Sequence, residues 1–151
     1  MISNAALLIP VTKIDHSQGP KDAPLVLVEY GDYECPYCGL AYPIIKRVQA
    51  ALKKDLRFVF RNFPQAIAHP HAIDAAKAAE AAGLQGKFWE MHDTLYENQE
   101  NLDPNSLLEY ATTLNLDLEK FIQDMGSQVL EEKIAQDQYG GARSCLGSLP
   151  N

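Results

Sequence analysis

Cysteine is scarce in this 151-residue chain, with three in all: Cys35, Cys38 and Cys145. Three are too few to staple a small secreted scaffold, and a chain this long buries enough surface to hold a core without staples. An odd count with no leader in front of it points to a reducing compartment. Basic residues are outnumbered, 13 Lys and Arg against 20 Asp and Glu, which leaves a formal net charge of -7. That balance argues against nucleic acid and anionic membrane surfaces as partners, because both select basic patches. No apolar run approaches the roughly 18 residues of a membrane helix, and Ala5-Ala6-Leu7-Leu8-Ile9 has no Lys or Arg before it. Neither a membrane span nor a cleaved secretory leader is expected. The expected compartment is the cytoplasm, or the periplasm or another extracytoplasmic space if a leader has been removed. Internal repeats and Gly-, Ser- or Pro-rich linkers are also missing. One domain, or one domain with an insertion, is expected.

The rest of the chain is patterned. Leu25 to Tyr30 is short, β-branched and almost wholly apolar, the pattern of a strand buried on both faces. Beyond it Cys38, Ala41, Tyr42, Ile45, Val48 and Leu52 recur at helical spacing and predict an amphipathic helix of about five turns. Leu56 to Arg61 predicts a second strand, parallel to the first across that helix. From His69 to Gly126 the pattern turns helical: an Ala-rich segment closes at Gly83, and a second carries Phe88, Trp89, His92, Leu95 and Tyr96. A third starts at Asp103-Pro104 and a fourth ends at Gly126. Ser127 to Ala142 forms one more helix, with Leu130, Ile134 and Asp137 or Gln138 on successive turns. Met1 to Val11 is a strand that Pro10 confines to an edge.

This layout puts Cys35 at the N-terminus of a helix and Cys38 one turn in. The thiolate is the attacking form of cysteine, and unpaired N–H groups and the positive end of a helix stabilise it. Cys35 is therefore assigned as nucleophile and Cys38 as the resolving thiol. Pro36 shapes the first turn. Tyr37 brings no positive charge, so an intermediate or reducing poise is expected. Glu29 interrupts the buried strand six residues earlier; such a carboxylate needs work or a partner, and proton acceptor for Cys38 is the work within reach. A single C-x-x-C is half of a zinc site and no second pair follows, so no metal is expected. His69, His71 and His92 are read as capping or surface groups, Phe88, Trp89 and Tyr96 as core, and Cys145 as an unpaired thiol.

The segment Leu27-Val28-Glu29-Tyr30-Gly31-Asp32-Tyr33-Glu34-Cys35-Pro36-Tyr37-Cys38 resembles the active-site stretch of DsbA-like thioredoxin-fold proteins. The likeness runs through Asp15-His16, Gly19-Pro20, Phe58-Val59-Phe60-Arg61-Asn62-Phe63-Pro64, His69-Pro70-His71-Ala72 and Gly86-Lys87-Phe88-Trp89-Glu90-Met91-His92. It covers nearly everything from residue 15 onward. The resemblance implies an α/β fold, a thioredoxin-like core with a helical insertion: residues 1–64 as the first part of the core, 65–126 as the insertion, 127–151 as the return to the core. It puts Glu29 at the place of the fold's buried acid, and Pro43 at the proline that kinks the active-site helix. The family's substrate-facing cis-proline would be Pro150, within Ser148-Leu149-Pro150-Asn151, with Leu149 departing from the family's Thr in a way expected to alter pKa and substrate contacts. Pro36, Tyr37, Leu149 and Pro150 are the substrate-contacting residues so implied.

The family continues past this proline with a β-hairpin and a last helix, and both are expected to be missing here. Leu25 to Tyr30 would then be an unpaired apolar edge open to homodimerisation or strand exchange. The activity implied is thiol-disulfide exchange with protein, peptide or small-thiol substrates, supported by a reductant such as glutathione or thioredoxin, and needing no metal or organic cofactor. A catalytically weak, chaperone-like or peptide-binding protein is the alternative, and glutathione-linked transfer a third.

Overall fold

The computed structural model describes residues 7–146, with only the backbone of the last two. Three strands form one sheet in the order β1-β3-β2, where β1 is His16–Gln18, β2 is Leu25–Gly31 and β3 is Leu56–Asn62. β3 runs through the middle, antiparallel to β1 and parallel to β2 in the register Leu25 opposite Leu56 to Gly31 opposite Asn62. The crossover between the parallel strands is α1, Pro36–Leu52. Four helices follow β3 as the insertion: α2 Ala72–Gly83, α3 Phe88–Glu97, α4 Pro104–Thr113 and α5 Leu118–Met125. α6, Gln128–Leu146, returns to the sheet.

Local chemistry explains the helix starts. Pro36 and Pro104 occupy first-turn positions, where a missing N–H costs nothing, and the Asp103 carboxylate accepts from the backbone N–H of Asn105 and Ser106 at 3.1 and 3.2 Å. Asp117 caps α5 in the same way, accepting from Lys120 N–H at 3.0 Å. Pro43 lies inside α1, where it cannot donate to the carbonyl one turn back.

The alternation of β3 builds two cores. Phe58 and Phe60, 2% and 0% exposed, point to one face and meet Phe88, Trp89, His92 and Tyr96 of α3. The alanines of α2 let that helix approach closely, and Ala75, Ala78, Ala79 and Ala82 are buried. Arg61, on the other face, donates to the Asp15 carboxylate at 2.8 and 3.0 Å, to the carbonyls of Ile9 and Pro10, and to the Tyr30 hydroxyl.

Three expectations need correction. β2 is not buried on both faces: Leu25 and Val26 are each 51% exposed and Leu27 37%, because β2 is the sheet's edge among the described residues and the start of the strand lacks a covering layer. The strand expected within Met1 to Val11 is not formed over residues 7–11, and residues 1–6 lie outside the described residues. The N-terminal strand is instead β1, held by three pairings to β3. α6 also runs past Ala142, to Leu146.

A buried polar clamp joins β1, β3, α2 and α6. Asn62 donates its backbone N–H to Asp137 at 3.0 Å and its side-chain amide to Glu80 at 2.7 Å, while His16 Nε2 donates to Glu80 at 2.9 Å and Lys133 pairs with Asp137 at 2.7 Å. Burial alone would raise the Glu80 carboxyl, but His16, Lys133 and Asn62 outweigh it and hold the group below its ordinary 4.5. A carboxylate depressed in this way stabilises the fold above its unfolded pKa and loses that contribution as pH falls through the folded one. Glu80→Ala is expected to cost about 3 kcal/mol in urea unfolding at pH 7, with the deficit shrinking below about pH 4. A deficit that stayed constant across that range would show that packing, not charge, is what Glu80 supplies.

Candidate active site

β2 ends at Gly31 and α1 begins at Pro36, so residues 32–35 must turn the chain within one short loop. Cys35 sits at the N-cap of α1 in extended conformation, φ −72° and ψ 122°, and its carbonyl accepts from Gly39 N–H at 3.0 Å. Asp32 fixes the loop. It is 3% exposed; one carboxylate oxygen accepts from Glu34 N–H at 2.9 Å, the other from Gln65 N–H at 2.9 Å and His69 Nδ1 at 2.7 Å. Glu34 accepts from His71 N–H at 2.7 Å, so two acids tie the loop to the connection between β3 and α2. From the other side Gln99 donates its amide to the carbonyls of Tyr33 and Cys35, at 2.8 and 3.0 Å. Gly39 leaves room for that amide, since a Cβ there would overlap the Gln99 side chain.

Cys35 and Cys38 are both free thiols and both half-buried. Cys38 packs against the aromatic core beside Tyr42 and Ile45, the inward stripe of α1. Burial pushes its thiol up to about 11, with the charge of Cys35, a hydrogen bond to Cys35 and the charge of Glu29 acting in the same direction against the Asp32 backbone N–H. Glu29, opposite Phe60 in the register, is raised to about 7 by burial. Two proton-bearing groups thus sit inside the site, each favouring its neutral form at or below neutral pH.

Pro36 takes the first helical position, and Tyr37 is 81% exposed on the outer side of α1, near Leu40 at 67%. Leu149 and Pro150 lie outside the described residues. Phe88 and Tyr96 are core, with Trp89 packed against them. His92 is buried among these rings, hydrogen-bonds with the Tyr33 hydroxyl at 3.0 Å, and is lowered to about 3 by burial, so it is neutral. His69 is committed to Asp32, and His71 to the start of α2. Asp32, Gln99 and Gly39 escaped the sequence reading; only the position of Asp32 beside the cysteine motif offered a signal.

The thioredoxin family profile matches residues 12–143. The Na(+)/H(+) antiporter NhaA 1 of Mycolicibacterium vanbaalenii is 51% identical over 139 residues, 90% of this chain and 22% of that protein. The corresponding antiporter of Salinispora arenicola is 44% identical over 145 residues, 95% of this chain and again 22% of that protein. The chain thus spans about a fifth of the length of these curated relatives. Among solved structures, a thioredoxin-like oxidoreductase from Silicibacter pomeroyi superposes with a TM-score of 0.77 at 28% identity, covering 85% of this chain and 73% of that one. Alpha-DsbA1 of Wolbachia pipientis has the same fold, with a TM-score of 0.76 at 24% identity over 97% of this chain and 76% of that one. The chain belongs to the thioredoxin family, and its fold is the DsbA-like form, the fold of thiol-disulfide oxidoreductases.

Proposed function

We propose that the protein exchanges disulfides with protein, peptide or small-thiol substrates through Cys35 and Cys38. The observation that carries this reading is the placement of two free thiols one turn apart, with Cys35 at the N-cap of α1 and Cys38 behind it. Cys35 attacks a substrate disulfide from the outer side, supported by the helix N-terminus. The mixed disulfide that forms takes the charge off Cys35, which removes one of the causes holding Cys38 protonated. Cys38 then gives its proton towards Glu29 and closes the ring. Pro36, Tyr37, Leu149 and Pro150 shape the substrate side, and a thiol such as glutathione or thioredoxin would recycle the pair. With Tyr37 rather than a cation between the cysteines, the poise is intermediate or reducing.

No helix among the described residues is long and apolar enough to cross a membrane. The segment shared with the antiporters is read as a thiol-exchange unit on the strength of the two thiols at the start of α1.

A second reading rests on a different observation. Leu25, Val26 and Leu27 on the β2 edge, with Leu40 and Ile44 on α1, are all exposed, and no residue of α1 is fully buried. Such an edge favours strand addition, and we propose a homodimer paired through β2, or an extended peptide bound there. Light scattering is expected to give a dimer; a monodisperse monomer across micromolar concentrations would rule the pairing out.

Cys35→Ser is expected to abolish disulfide reduction without loss of the circular dichroism spectrum, and Cys38→Ser to trap mixed disulfides with substrate. Retained turnover in Cys35→Ser would overturn the assignment. Glu29 has its folded pKa raised, so the fold is most stable below the unfolded value and loses stability as pH rises through about 7. The gap between 4.5 and about 7, at about 1.4 kcal/mol per pH unit, makes that loss about 3 kcal/mol. Glu29→Gln is therefore expected to be more stable than the parent in urea at pH 8.5, equally stable at pH 4, and slower in closing the disulfide.

A further inference from the structure

Tyr96, on α3, is 6% exposed, and its hydroxyl is buried without a hydrogen-bond partner among the described residues. A buried hydroxyl left unpaired costs free energy, so its position calls for an explanation. The ring is held from two sides: Tyr33 of the active-site loop packs at 4.9 Å, and Tyr42, one turn beyond Cys38 on α1, stacks at 5.3 Å and 26°. The hydroxyl end reaches β2, where a Cβ added at Gly31 would lie 2.7 Å from it. Residues 29 and 31 share one face of that strand. The oxygen thus occupies the side-chain space of position 31, on the face of β2 that also carries the Glu29 side chain.

The other groups around it are accounted for. Asp32 is saturated by three donors, Tyr33 is bonded to His92, and His92 is neutral. Glu29 and Cys38 remain, and both charges are felt at the Tyr96 phenol.

We propose that the Tyr96 hydroxyl positions the proton that moves between Cys38 and Glu29 during the second half of the exchange, an inference that rests on the thiol-exchange reading above. Formation of the mixed disulfide draws Cys38 and Glu29 into hydrogen-bond reach of the Tyr96 hydroxyl, and the Cys38 S–H proton then passes to the Tyr96 oxygen as the Tyr96 O–H proton passes to the Glu29 carboxylate. The Cys38 sulfur attacks that of Cys35, the Cys35–Cys38 bond forms, the bond from Cys35 to the substrate breaks, and the substrate sulfur leaves with the electron pair as a thiolate. Two protein thiols are oxidised and one substrate disulfide is reduced. Tyr96 ends neutral, as it began, and the proton rests on Glu29. A phenol suits this place because it can accept and donate at once without a net charge in the core.

The test is rapid mixing of the reduced protein with the aromatic disulfide dithionitrobenzoate, which releases one coloured thiolate at each step. The first phase is second-order and reports attack by Cys35; the second is first-order and reports closure by Cys38. Tyr96→Phe removes one oxygen and keeps the ring. It is expected to leave the first phase unchanged, to slow the second about a hundredfold, and to flatten the inflection near pH 7 that Glu29 gives to it. Tyr110→Phe, which loses a phenol hydroxyl bonded to the Asn101 carbonyl at 2.7 Å on α4, serves as the control for loss of a tyrosine hydroxyl outside the site and is expected to change neither phase. A second phase unaltered in rate and pH dependence, or equal slowing of both phases in Tyr96→Phe, would overturn the proposal. If the unaltered protein lacked the first phase, the exchange reading itself would fall and the relay with it, whereas a normal first phase with an unaltered second condemns the relay alone.

Discussion

The buried Asp32 carboxylate is the constraint on which the active-site loop depends. A buried carboxyl is tolerable in a protein interior only when its oxygens find donors. Asp32 meets that condition with Glu34 N–H, Gln65 N–H and His69, and so the demand of one side chain draws together the loop before Cys35 and the connection that follows β3. Its own carbonyl accepts from Cys35 N–H at 3.1 Å, and its backbone N–H acts on the Cys38 thiol. Gln99 closes the other side by filling the carbonyls of Tyr33 and Cys35. The start of α1 is therefore fixed, which is what the nucleophile role proposed for Cys35 requires.

Glu29 lies only three residues earlier and accepts no hydrogen bond of that kind among the described residues. It faces Phe60 across the sheet, and burial lifts its pKa to about 7 with no opposing cause. The two acids show how one short segment separates structure from chemistry. Asp32 has both oxygens occupied by donors and holds the backbone, whereas Glu29 is raised to about 7 by burial and can take up or release a proton in the physiological range. Exchanging their surroundings would cost the loop its anchor.

The same contrast shows what a sequence can disclose. Glu29 was legible because a charge interrupts an apolar strand, Cys35 and Cys38 because their spacing matches a helical turn, and the helices from Ala72 to Met125 because alanines, aromatic residues, the Asp103-Pro104 cap and the glycines at their ends mark their faces and limits. The anchoring role of Asp32 was not, since its partners Gln65 and His69 lie more than thirty residues away and only the fold brings them near. Gln99 is more distant still. β1 was missed because His-Ser-Gln has no apolar alternation and owes its conformation to β3 alone. The exposure of Leu25 to Leu27 was misread for a related reason: an apolar run reports the capacity to be covered, not the cover.

That incomplete cover bears on how the site must operate. Tyr33, Phe60, His92 and Tyr96 fill the inner side of the active-site loop with rings in mutual contact, so no substrate sulfur can approach Cys35 from there. The outer side presents Tyr37 and Leu40, both exposed. In the exchange proposed above, sulfur arrives from outside α1 while the proton leaves Cys38 inward, towards Glu29 and the Tyr96 hydroxyl. Under that proposal the separate routes keep Glu29 away from the incoming disulfide, and the outer surface can change with the substrate without disturbing the buried acid.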